Sequence, residues 1–168
     1  QLDLAGTEYA IAEIREHLAG RLNRPEWAGT TTDNDDVRIA FAPENPVRVS
    51  FQDGRMELHL NIARLQREGQ SWQRFQVKVR YTAEADGLGI ALQRDGVVEL
   101  GGVSGAQIAL RGIFGSVFSD EDEPSFTSDV LMEDPRFRGL YLNQCFIDDG
   151  WIGLAIGATS RPFIAIRP

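Results

Sequence analysis

The sequence predicts an α+β fold: an antiparallel β-meander of about five to seven strands, with one apolar face covered by two amphipathic helices. Two observations predict it. Residues 47–101 alternate apolar and polar side chains through successive turn signals, the period of a half-buried strand. Two flanking segments instead carry apolar residues three and four apart, the period of a helix. A sheet with one greasy face must be covered, and these segments are the available covers.

The first helix is expected to start at Thr7, which can cap it, with Glu8 in the first turn. Ile11, Ile14, Leu18 and Leu22 form its stripe, with Glu13, Arg15, Glu16 and Arg21 opposite, and Asn23 and Pro25 stop it. A membrane-surface helix would carry mainly Lys and Arg on its polar side; here acidic residues are mixed in, so the helix reads as one packed on the sheet. Trp27 precedes a polar linker. Within it Asp33-Asn34-Asp35-Asp36 invites a calcium reading, but the sixth position of such a loop is Arg38, not Gly. Val37, Ile39 and Phe41 then alternate as a short strand, and Pro43 and Pro46 bracket a loop.

The meander follows. Val47, Val49 and Phe51 lead to Asp53-Gly54, and Met56, Leu58, Leu60 and Ile62 lead away from it. Alternation on both sides of Asp-Gly is a strong hairpin signal. A two-residue loop sets Val49 opposite Leu58 and Val47 opposite Leu60. Phe75, Val77, Val79 and Tyr81 form the next strand, with Phe75 facing Ile62 across a turn at residues 67–70. A turn at residues 83–86 sets Tyr81 opposite Leu88 and Val79 opposite Ile90. A three-residue loop, Arg94-Asp95-Gly96, sets Leu92 opposite Val98 and Ile90 opposite Leu100. All these pairs share one apolar phase. The other face carries Arg48, Glu57, Asn61, Lys78, Arg80, Thr82 and Gln93.

Beyond Gly101-Gly102, Ser104 is placed to cap a second helix with Leu110, Ile113, Phe114, Val117 and Phe118 on its apolar side. Gly112 and Gly115 each cost about 1 kcal/mol against Ala in a helix and predict a close neighbouring backbone. Asp120 to Glu123 is an acidic loop. Residues 128–134 form one helical turn before Pro135. Tyr141 to Ile156 reads as a last hairpin around Asp148-Asp149-Gly150 with two registers open. A two-residue loop pairs Ile147 with Ile152 and Cys145 with Leu154; a three-residue loop pairs Phe146 with Ile152 and Leu142 with Ile156. Phe163, Ile164 and Ile166 form a final strand or a tail into a further domain.

The 168 residues carry 17 basic and 25 acidic side chains, a formal charge of -8. That balance, with no basic run, argues against a nucleic-acid partner. No apolar stretch approaches the roughly 20 residues of a transmembrane helix. The length suits a single domain over residues 1–168, and the start at Gln1 suggests a processed form or an excised piece of a longer chain. One cysteine, Cys145, excludes an internal disulfide and leaves the compartment open, with a lean to an extracytoplasmic one.

Candidate chemistry is sparse. His17 and His59 have no metal-binding spacing, and Ser116 lacks a nucleophile elbow. Cys145 in a strand reads as a small hydrophobe, and Asp148-Asp149 as turn residues. No Gly-rich nucleotide motif is present among Gly101 to Gly105. The expectation is no enzyme, no cofactor, no metal site and no assigned ligand-binding residue.

The element order, an amphipathic helix, a long antiparallel meander, then a helix and returning strands, resembles tubular lipid-binding (TULIP, BPI-like) domains. That resemblance implies a lipid or other apolar ligand held between sheet and helices. The function expected is therefore a non-catalytic binding domain. The alternative is a protein-interaction or scaffold domain of a larger extracytoplasmic protein, with a dry core.

Overall fold

Period-two alternation becomes antiparallel pairing along most of the chain. The computed structural model describes residues 4–21, 36–86, 88–103, 105–118, 125–127, 134–148 and 150–158. In chain order the elements are β1 (Glu8–Ala10), α1 (Ile11–Arg21), β2 (Arg38–Phe41), β3 (Val47–Gln52), β4 (Arg55–Arg67), β5 (Gln70–Asp86), β6 (Gly89–Arg94), β7 (Glu99–Gly101), α2 (Gln107–Val117), β8 (Ser125–Thr127), β9 (Tyr141–Asp148) and β10 (Trp151–Gly157). An eight-stranded sheet has the order β1-β2-β4-β5-β6-β8, with β3 on β4 and β7 on β5; β9 and β10 form a two-stranded sheet. The architecture is α+β, dominated by antiparallel strands.

The chain gathers into two units. The first comprises Gln1–Arg48, Leu58–Lys78 and Val98–Val117; the second comprises Val49–Glu57, Val79–Val97 and Phe118–Pro168.

In the first unit Ile39 pairs with Leu65 and Phe41 with Ile62, and Val37, Ile39, Phe41, Ile62 and Leu65 are all buried. The first helix begins later than its sequence suggests. Glu8 to Ala10 extend and pair with β2, and the Arg38 guanidinium meets Glu8 at 2.7 Å. The helix then starts at Ile11, where Glu13 accepts a 2.8 Å bond from the Ala10 N–H. This is the returning half of a capping box. Strand pairing to Ala40 outcompetes Thr7 as a cap.

The second helix buries Leu110, Ile113 and Phe114, and the Phe114 ring meets Phe75 edge-on at 6.0 Å. Val117 stays 39% exposed at the helix end. A Cβ added at Gly112 or Gly115 would meet nothing within 4 Å. Among the described residues the close backbone expected beside these glycines is therefore absent.

Two strand pairings differ from the sequence reading. Leu100 lies opposite Val77 of β5, not opposite Ile90 of β6. In the second unit Ile90 lies opposite Ala85, six residues along β5 from the expected Val79. Strand β5 continues through Ala83 and Ala85, whose small apolar side chains prolong the alternation of Val79 and Tyr81. The slip is even, so every side chain keeps its face. It also leaves residues 76–78 to pair with β7.

The apolar phase of β3 is right, but its burial is not. The Asn61 N–H donates to Pro46 at 2.9 Å, as the expected hairpin register requires, and Asp53 and Gly54 have φ 52° and 74°, the left-handed pair of a type I′ turn. Yet Val47 and Val49 are 37% and 46% exposed. Among the described residues strand β3 pairs with β4 alone; its other flank is met by the Gly150 N–H, which donates to the Phe51 carbonyl at 2.9 Å, and not by a further strand.

The last hairpin uses both registers. Ile147 pairs with Ile152 and Cys145 with Leu154, as a two-residue loop demands; past a bulge, Leu142 pairs with Ile156. Asn143 is the extra residue. The bulge keeps Leu142, Cys145, Ile147, Ile152, Leu154 and Ile156 on one face. Ahead of it, Asp134 caps a 3-10 turn at Pro135–Phe137. Leu22 to Pro25, Trp27, Asp33 to Asp35, Ser104, Asp120 to Glu123, residues 128–133 and Phe163 to Ile166 lie outside the described residues, as does the Leu18 side chain.

Candidate functional site

Three strands of the first unit break their regular geometry around one place. Between Ala40 and Phe41 the β2–β4 register shifts, leaving Ala63 as an extra residue on β4. On β5, Arg74 adopts φ 54°, and Gly102, just past β7, has φ 80°. Non-glycine residues seldom hold that conformation. A Cβ at Gly102 would lie 3.1 Å from the Arg74 carbonyl oxygen, so glycine is required there twice over. Bulges and such backbone outliers gather at functional sites.

A groove of about 600 Å³ lies where these irregularities meet, lined by Ala42, Pro43, Glu44, Asn61, Ala63, Arg74, Gln76, Gly101 and Gly102, with edges of Ile62 and Phe75. Small residues make the room. Gly101 sits opposite Gln76, and Ala63 lies between buried Ile62 and exposed Arg64. Asn61 holds the wall: its N–H donates to Pro46, its carbonyl accepts from Ala42 at 2.8 Å, and its side-chain amide donates to the Asn45 carbonyl at 2.6 Å. One residue thereby ties both ends and the middle of the 42–46 loop. The Arg74 side chain is exposed and has no hydrogen-bond or ion-pair partner among the described residues. The groove offers an apolar floor, a free guanidinium and the Glu44 carboxylate.

No motif in the sequence marks this site. Asn61 was legible only as a wet-face residue, and Arg74 and Gly102 carry no motif. Gly101-Gly102 was visible as a break in the pattern, without its cause.

Of the residues weighed for chemistry, Asp149 lies outside the described residues and the described ones are distributed over several elements. Cys145 lies half-buried on β9 opposite Leu154, and burial pushes its thiol above the ordinary value. Ser116 is exposed on α2, and His17 and His59 are half-buried in α1 and β4. Asp148 pairs with exposed Trp151. Asp36 faces Arg67 at 3.8 Å. Among the described residues no group of three or more His, Cys, Asp or Glu side chains is placed to hold a metal ion. Among the same residues no helix is long and apolar enough to cross a membrane. Comparison with protein families, with curated proteins and with solved structures finds no match for this chain.

Proposed function

We propose that the chain is a non-catalytic binding domain that holds a small, largely apolar molecule with an anionic end in the groove of the first unit. The observation that carries this reading is the unpartnered Arg74 guanidinium at the rim of an apolar-floored groove of about 600 Å³. Ligand sites are typically concave, mostly apolar, and supplied with a few polar groups that orient the ligand. The volume falls in the range of such sites, roughly 300 to 1,000 Å³.

In this reading α1 and α2 are the amphipathic covers of the sheet's apolar side, and the ligand lies on the other side. Phe75 and Phe114 occupy the space between sheet and α2, whereas Asn61 and Ala63 alternate with buried Ile62 and so face away from it. A fatty carboxylate suits the groove and belongs to the ligand class that the resemblance to tubular lipid-binding domains implies, but this groove lies on the sheet face opposite the one where that resemblance would place a ligand.

Calorimetric titration with octanoate and with 1-octanol tests the proposal. Octanoate is expected to bind more tightly than the alcohol. Arg74→Gly should abolish that preference while keeping the fold, since glycine accepts φ 54° without strain. No octanoate binding, or equal binding by the Arg74→Gly protein, would remove the reading.

A further inference from the structure

Among the described residues, β10 of the second unit pairs with β9 alone and presents an unusual edge. Strand β10 reads Trp151-Ile152-Gly153-Leu154-Ala155-Ile156-Gly157, with no charge and no proline. Trp151 is 78% exposed, and Ile152, Leu154 and Ile156 are 42%, 45% and 39% exposed. Edge strands ordinarily carry charges, prolines or bulges that block further pairing. The bulge of this hairpin lies on β9, at Asn143, so β10 itself runs regular. A two-stranded sheet is also marginal by itself, whereas three or more strands with an apolar face are stable.

Hydrogen-bond phase points the same way. Asp148 and Trp151 flank the hairpin loop, and the pair flanking a two-residue loop is bonded in both directions. The backbone groups of residues 151, 153 and 155 therefore serve β9, and those of 152, 154 and 156 face outward.

We propose that β10 pairs antiparallel with β10 of a second copy of this chain, about a two-fold axis at Leu154. The strand is complementary to itself in that arrangement. On one face Leu154 meets its own mate and Ile152 meets Ile156, all apolar. On the other face Trp151 meets Gly157, over which the Asn143 amide of β9 lies, and Gly153, beneath the Phe146 ring, meets Ala155. All three outward-facing backbone positions meet outward-facing positions. The product is a closed, isologous dimer carrying a four-stranded sheet β9-β10-β10-β9. It uses a surface other than the ligand groove and stands independently of it.

Sedimentation velocity over roughly 1 to 200 µM, where mass action would populate a dimer, tests the pairing. The native chain should shift from monomer to dimer with concentration. Leu154→Lys should remain monomeric throughout, with an unchanged circular dichroism spectrum. Ile108→Lys, which charges an exposed apolar residue on α2, should dimerise like the native chain. In a Cys145→Ser background, Leu154→Cys should form a disulfide-linked dimer under mild oxidation. Trp151→Cys should not, because the two copies of that residue would lie six residues apart along the strands, about 20 Å. A native chain monomeric at the highest concentration overturns the proposal. So does equal loss of the dimer in Ile108→Lys, or cross-linking as ready at 151 as at 154.

Discussion

The Phe146 ring occupies the space that a side chain on Gly153, its directly paired residue across the ribbon, would need. An aromatic ring thus shields the backbone of a strand glycine, an arrangement used to stabilise sheets that contain one. Gly153→Ala forces the ring away. Phe146 is 50% exposed, so its ring can turn towards solvent, and a loss of about 0.5 to 1.5 kcal/mol is expected, the order of a displaced rotamer. Urea denaturation checks it, and pairing the change with Phe146→Ala should recover part of the loss. Additive effects would show that the two residues do not compete for the same space.

Asn61 anchors the loop that walls the groove. Asn61→Ala removes the side-chain bond to the Asn45 carbonyl while leaving the backbone bonds to Ala42 and Pro46 in place. A partly exposed neutral hydrogen bond contributes about 0.5 to 1.5 kcal/mol, so a small stability loss is expected. Octanoate affinity should fall as well, because the 42–46 loop loses its central tether. Thermal unfolding and calorimetry read the two effects separately. Unchanged affinity in a destabilised variant would detach the loop from the site.

Gly112 and Gly115 weaken α2 with no packing reason, since a methyl at either position meets nothing within 4 Å. Neither has a positive φ. Gly112→Ala and Gly115→Ala should each stabilise the fold by about 0.4 to 1 kcal/mol, mainly by restricting the unfolded chain. Chemical denaturation of the single and double variants would show gains that add. A loss at either position would mean that the helix surface there packs against something.

Cys145 loses water on folding, and this holds its thiol above the ordinary range. The thiolate is the reactive form, so iodoacetamide near pH 8 should label the native chain more slowly than the urea-unfolded one. In the folded state the thiol keeps its proton to higher pH, so stability falls as pH rises past the unfolded thiol value. Cys145→Ala should flatten that alkaline decline. Equal labelling rates in the native and unfolded chains would contradict the burial.

Much of this fold can be read from single residues and their spacing. Asp53-Gly54 specified its turn and register, because few residues accept two successive left-handed conformations. Phe75, Val77, Val79 and Tyr81 named their own core face, since alternation leaves one set of side chains on each side of a strand. Leu110, Ile113 and Phe114 did the same for α2 by their spacing. None of this reached the groove, whose residues carry no shared pattern.

Residue order by itself therefore determined the phase of each strand and helix, which depends on neighbours two to four positions away. Only the tertiary structure decided which strands became neighbours. Ile90 met Ala85 rather than Val79, Leu100 met Val77 rather than Ile90, and Val49 stayed 46% exposed. Alternation is indifferent to an even slip and blind to whether an edge is covered. The same limit hid the groove: Ala63, Arg74 and Gly102 come together through pairings between distant segments, and their backbone departures exist only once those strands are side by side.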